Sequence, residues 1–217
     1  MRVSFNLNEI NHHALKLMVG VVALTLGNLT AFLSATAIES ISASYYEDGS
    51  ARDFFVGLLF TISAFLFAYN GSSILEMVLA KIAAVAGIGI AIFPCSCGTH
   101  QPIIPYVHYA SAAIMFLVLA CYCWIFYGRA RKKSNLEAAL RRYIYAACGI
   151  TIVLAIAVLA IDAFAAGLVS SIVPRLTFYG ERAGLIAFGV SWLVASRTLP
   201  FITSSEERVS ILPILIP

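Results

Sequence analysis

Residues 53–94 read DFFVGLLFTISAFLFAYNGSSILEMVLAKIAAVAGIGIAIFP, and the number of helices in the chain turns on this stretch. By hydropathy alone it is one long apolar run. Asn70-Gly71-Ser72-Ser73 interrupts it with residues that favour tight turns, Asn and Gly because they tolerate a left-handed backbone. The reading is a hairpin: a helix over about 53–69, a turn, and a helix over about 74–93 that Pro94 stops. Each arm is close to the ~20 residues that cross about 30 Å of hydrocarbon.

Four further apolar runs predict helices over about 14–38, 107–127, 143–168 and 178–199, the last ended by Pro200. Asn8 or Asn11 is placed to cap the first. Of the 217 residues, 61% are hydrophobic and only 12% charged, against about 25% charged in soluble domains. Mean hydropathy is +0.91. A soluble core of this size cannot hide so much apolar surface, so the expected fold is all-α: one domain, a single bundle of six transmembrane helices. Ser34-Ala35-Thr36-Ala37 resembles a signal cleavage site. The run before it has roughly 20 residues, longer than the 7–15 of a signal's apolar region, and reads as a retained helix. Ala83, Gly87 and Ala91 recur every fourth position and predict close helix packing, inside the bundle or between protomers.

Basic residues orient the bundle. Arg129, Arg131, Lys132, Lys133, Arg141 and Arg142 crowd the connection 128–142 between the fourth and fifth helices. The positive-inside rule places that connection in the cytoplasm, and six spans then put both termini there. On that topology eleven of the fourteen Lys and Arg are cytoplasmic, with Arg52, Arg175 and Arg182 on the other side. The expected location is a bacterial inner membrane or its equivalent. A net charge of +3 is too small to point to nucleic acid. Expected partners are membrane lipids, with a homodimer or a second membrane protein also open.

The outer rim collects the unusual chemistry. Arg52 and Asp53 open the second helix, where Asp suits the free N–H groups and Arg offers a fork for phosphate or carboxylate. Ser42 and Tyr46 lie just before them, His108 starts the fourth helix, and Glu181 and Arg182 start the sixth. Asp162 interrupts an apolar helix, where an acid normally faces the bundle or a water-filled cavity. The expectation is one outer-leaflet polar pocket lined by Ser42, Tyr46, Arg52, Asp53, His108, Asp162, Glu181 and Arg182, binding a lipid headgroup. Arg52 and Arg182 would hold an anionic group. Alternatives are a proton-coupled transporter relaying through Asp162 and Glu181, a hydrolase using His108, and a structural accessory subunit. Cys95, Cys97, His100 and His108 match no compact metal spacing, so neither metal nor cofactor is expected. Glu76 and Lys81 are five apart, poorly placed to pair, and read as structural, with Lys81 snorkelling.

Ser40-Ile41-Ser42, Gly87-Ile88-Gly89-Ile90-Ala91-Ile92-Phe93-Pro94 and Val107-His108-Tyr109-Ala110-Ser111-Ala112-Ala113 occur in that order. With Ser42–Tyr46, Arg52–Gly57 and Tyr69-Asn70-Gly71 they make the chain resemble the DRAM/Sfk-type/FGF-receptor-activating-protein superfamily of six-span proteins and related bacterial membrane families, over about residues 38–193. Cys95–Gly98 is an insertion relative to that pattern. The resemblance implies a six-helix bundle with both ends cytoplasmic; some eukaryotic relatives are tied to lipid remodelling and trafficking, others to autophagy. A ceramidase-like hydrolase is disfavoured because the chain has no HxxxH pair.

Overall fold

The computed structural model describes residues 11–47, 49–98, 100–101, 104 and 106–209. Among them are six α-helices, one short 3-10 helix and no strands: α1 (His12–Leu33), the 3-10 turn Ser42–Tyr46, α2 (Ser50–Ala68), α3 (Ile74–Ile92), α4 (Val107–Arg131), α5 (Leu136–Phe164) and α6 (Leu176–Ala195). Five of these, α1 to α5, are long and apolar enough to cross a membrane. The sixth, α6, has 20 residues but carries Glu181 and Arg182 near its start. Each helix packs on its neighbours in sequence, and α6 closes the ring against α1.

The 70–73 hairpin forms as its residues dictate. Gly71 has φ +65°, and a Cβ there would lie 2.4 Å from the Glu76 Cβ, so both backbone and space require glycine. Ser73 caps α3 by accepting from the Glu76 N–H at 3.3 Å. Lys81 reaches back to the open carbonyls at the end of α2, donating to Phe67 O, to Tyr69 O (3.2 Å) and to Asn70 Oδ1 (3.0 Å). It ties the hairpin together.

Two boundaries differ from expectation. The 128–142 connection is mostly helix: α4 runs on to Arg131 and α5 begins at Leu136, where Asn135 Oδ1 accepts from the Ala138 N–H at 3.1 Å. Charge marks a membrane boundary, not a helix end, and this segment is rich in good helix formers. At the other end α1 stops at Leu33 rather than near residue 38. The chain then crosses the bundle mouth and buries Ile38 and Ile41. Asn11 caps α1 by accepting from His13 and Ala14 N–H; Asn8 and both termini lie outside the described residues.

Small residues set the helix spacing within the bundle. Gly87 faces Ser63 of α2, where an added Cβ would sit 2.3 Å from Ser63 Oγ, so the 83–87–91 stripe packs inside one chain. Backbone meets backbone at the seam where α1 joins α6. A Cβ on Gly20 would lie 2.9 Å from Gly189 O, and one on Gly189 would lie 2.9 Å from Gly20 O. Beneath the seam Trp192, fully buried, contacts Tyr69, Tyr122, Phe126 and Phe188 edge to face.

Candidate functional site

At the end of the bundle away from the α4–α5 connection, the segment after α1 is fastened to α6 through its backbone. Phe178 N–H donates to Glu39 O at 3.1 Å, and Arg175 Nε to Ile38 O at 2.9 Å. Glu181 does most of this work. Its Oε2 accepts from the Ile41 N–H and, at 3.3 Å, from the Ser42 N–H, while Oε1 accepts from Ser42 Oγ at 2.8 Å. The start of the 3-10 turn thus has its free N–H groups satisfied by an acid 139 positions away.

Beside this contact lies a cleft of about 430 Å³, bounded by α1, α2, α3, α4 and α6. Leu26, Ile41, Phe55, Leu59, Ile90, Ala112, Met115, Phe116, Leu119 and Leu185 line it, and Ser42 and Glu181 are its only polar residues. A carboxylate has about four acceptor positions, and Glu181 is met by the Ile41 and Ser42 N–H groups, by Ser42 Oγ and by the Ser40 side chain. Glu181 is in none of the ion pairs among the described residues. It is therefore an acid at one end of an apolar cleft, hydrogen-bonded by residues 40–42, with burial pushing its carboxyl above the ordinary value.

The other six residues expected to share one pocket line a different set of surroundings. Tyr46 donates to Cys95 O at 2.7 Å and stacks on His100 with ring centroids 4.0 Å apart. Burial raises its phenol above the usual value, with Tyr45 and Tyr109 adding to the effect, which keeps it a donor. Arg52 lies over the Tyr45 ring at 4.7 Å, and Asp53 is exposed in the first turn of α2. His108, buried, bonds Phe93 O through Nδ1 at 2.8 Å. Asp162 accepts from Val169 and Ser170 N–H, both at 2.8 Å, and so stabilises the turn after its own helix. Arg182 donates to Asn28 Oδ1 at 2.8 Å. Of the eight residues, Ser42 and Glu181 line this cleft. Tyr46, His108 and Asp162 are satisfied by main-chain groups, Arg52 lies over a ring, and Arg182 bonds an amide on α1 across the bundle.

Two further features of this end stand out. Cys95 and Cys97 form a disulfide. Among the described residues no group of three or more His, Cys, Asp or Glu is placed to hold a metal ion.

The opposite end carries charge pairs that spacing did not reveal. Glu76, 1% exposed, pairs with Arg129, which also donates to Ser72 Oγ. Ser73 Oγ donates to Glu76 at 2.9 Å, Tyr69 at 3.3 Å, and the Tyr122 hydroxyl donates to the Glu76 carbonyl. The sequence signal was an acid inside an apolar run, which needs a partner; its partner stands 53 positions away.

After α6, Glu207 pairs with Lys133 and, at 2.6 Å, with Arg141, whose Nη1 also donates to Ile202 O at 2.7 Å. Burial disfavours the charged Glu207, but the Lys133 hydrogen bond and the charges of Arg141 and Lys133 outweigh it and hold the carboxyl below its ordinary 4.5. A lowered folded value means the stabilisation is whole above pH 4.5 and is lost as pH falls through that lower value. A spin label at Thr203 is expected to be immobile at neutral pH and to gain mobility only as the pH falls below 4.5. Glu207→Gln is expected to be mobile throughout.

Compared with known proteins, the chain matches no family profile, no curated protein and no solved structure.

Proposed function

We propose that the protein is a multi-pass membrane protein, its basic end cytoplasmic, that binds a single-chain amphiphile. The apolar chain would occupy the cleft, with a hydrogen-bond-donating head, a hydroxyl or an ammonium, on Glu181. The observation that carries this reading is the cleft itself: ten apolar residues and, at one end, the acid Glu181 beside Ser42. A membrane setting is supported by what the helices turn outward: Val85 is 65% exposed, Leu154 58% and Ile161 56%, a surface stable only where the solvent is itself apolar. The basic α4–α5 connection supports the orientation.

The head-group class differs from an anionic clamp for a stated reason. Neither Arg52 nor Arg182 lines the cleft, so no cation there meets an anionic head. A proton relay is less well supported, because the remaining lining is apolar. A hydrolase is less well supported because His108 is bonded to a main-chain carbonyl.

The test is binding of fluorescent long-chain alcohol, amine and acid of equal chain length to the purified chain in neutral detergent. Alcohol and amine are expected to bind, and the acid at least about tenfold more weakly, roughly 1.4 kcal/mol. Ala112→Phe, which fills the cleft, is expected to weaken alcohol and amine binding by about tenfold or more while leaving the thermal midpoint within a few degrees. Equal binding of the acid, or unchanged binding in Ala112→Phe, would overturn the reading.

A further inference from the structure

The second cavity lies at the basic end and is unlike the first in every respect. It is a cleft of about 370 Å³ lined by Lys16, Arg129, Lys133, Arg141 and Arg197, together with Phe126, Ala130, Tyr145 and Ala195. Five cations from α1, from α4 and the turn after it, from α5 and from the segment after α6 thus border one space. Two carboxylates answer them. Glu76 pairs with Arg129, and Glu207 with Lys133 and Arg141. Lys16 and Arg197 have no carboxylate partner among the described residues.

Lys16 is the telling residue. It is 9% exposed and makes no hydrogen bond among the described residues; its ammonium sits 5.6 Å from the Tyr69 ring centre and 5.5 Å from that of Phe126. A buried ammonium held only by ring faces costs folding free energy unless a further partner arrives. Tyr145, 4% exposed, likewise has a hydroxyl with no hydrogen-bond partner among the described residues. Arg197 has φ +58°, a left-handed conformation that is uncommon and strained for a residue with a side chain. Bonds from its N–H to Val194 O and from the Val209 N–H to its carbonyl hold it there. A lysine with no carboxylate partner among the described residues, a tyrosine hydroxyl and a left-handed arginine thus border one cleft together with three further cations, a setting that favours an anion.

We propose that this cleft binds a phosphate group, presented either by the headgroup of an anionic phospholipid or by free phosphate. The planar forks of Arg129, Arg141 and Arg197 suit its oxygens, Lys16 supplies a point charge at the buried side, and Tyr145 adds a neutral donor. The two carboxylates, Glu76 and Glu207, touch three of the five cations but offset only two of the five positive charges, leaving net positive charge for the ligand.

The test uses the full chain and two variants, Lys16→Met and Arg197→Gln. Thermal midpoints are measured in neutral detergent with inorganic phosphate against chloride at equal ionic strength. They are then measured in nanodiscs of phosphatidylcholine with and without phosphatidylglycerol. If free phosphate is the ligand, millimolar phosphate raises the wild-type midpoint by several degrees, and both variants lose most of that rise. If the headgroup is the ligand, phosphate does nothing, phosphatidylglycerol raises the wild-type midpoint, and both variants lose that rise. Without ligand, Lys16→Met is expected to be as stable as the wild type or more so, because it removes an uncompensated buried charge. A structural lysine would instead make that variant less stable. No rise with either probe, or a rise that survives in both variants, overturns the proposal.

Discussion

Replacing Gly20 by valine is expected to cost about 3 kcal/mol or more and to drop the thermal midpoint by more than any surface substitution. The glycine lies where α1 crosses α6. A Cβ added there would stand 2.9 Å from Gly189 O, 2.9 Å from the Leu193 N and 2.8 Å from Leu193 Cγ. Two of these three neighbours are backbone atoms, so no rotamer change relieves the contact and the helices must part. Parting them opens the seam over Trp192 and its ring of aromatic neighbours. Gly57, where an added Cβ meets nothing within 4 Å, provides the control; Gly57→Val should cost about 1 kcal/mol or less, a valine being better than glycine in a helix. Thermal unfolding of the two purified variants, followed by helical circular dichroism, makes the comparison. Equal midpoints would show that the α1–α6 seam is looser than described.

The second large effect belongs to Glu76 and Arg129. Arg129→Ala leaves a carboxylate that is 1% exposed without its counter-charge, and losses of about 3–5 kcal/mol follow from breaking a buried pair. The Arg129 side chain is 34% exposed, so water can reach part of the pair and the lower half of that range is expected. Glu76→Met with Arg129→Met removes both charges together and should recover most of the loss. The test is a double-mutant cycle on thermal midpoints. If the single and double variants are equally unstable, packing by the Arg129 stem is the source of the effect, and not charge.

These effects mark how far the residues could be read without coordinates. The hairpin was legible because Asn70-Gly71-Ser72-Ser73 is local chemistry: the left-handed Gly71 and the Ser73 cap require only their neighbours. The apolar runs were legible because about 20 residues of hydrocarbon leave few alternatives. The true length of α4 and α5 was also within reach, since Asn135-Leu136-Glu137 is a cap followed by an acid in the first turn. Charge density concealed it.

Partner choice was harder. Glu181, with Arg182 next to it, bonds instead to the Ile41 and Ser42 N–H groups of the segment crossing the bundle mouth. Asp162 looked like an intramembrane acid and serves the turn seven residues on. Glu76 read as structural with no partner at helical spacing, and it is nearly fully buried against Arg129. In each case the apolar setting predicted that the acid must be satisfied, while the chain's path alone decided by what. The gathering of Lys16, Arg129, Lys133, Arg141 and Arg197 around one cleft depends on the ring closing α6 against α1, and no spacing rule encodes that closure.

The claim that an amphiphile lies in the apolar cleft is tested most directly by photo-cross-linking in membranes. A benzophenone amino acid is placed at Phe116, which lines the cleft, and in a second protein at Leu117, 52% exposed on the outer face of the same helix. Intact-mass analysis after illumination should show one defined adduct at position 116, a single-chain species bearing a hydroxyl or amine, and a broad set of bulk phospholipids at position 117. The same broad set at both positions, or no adduct at 116, would contradict the account.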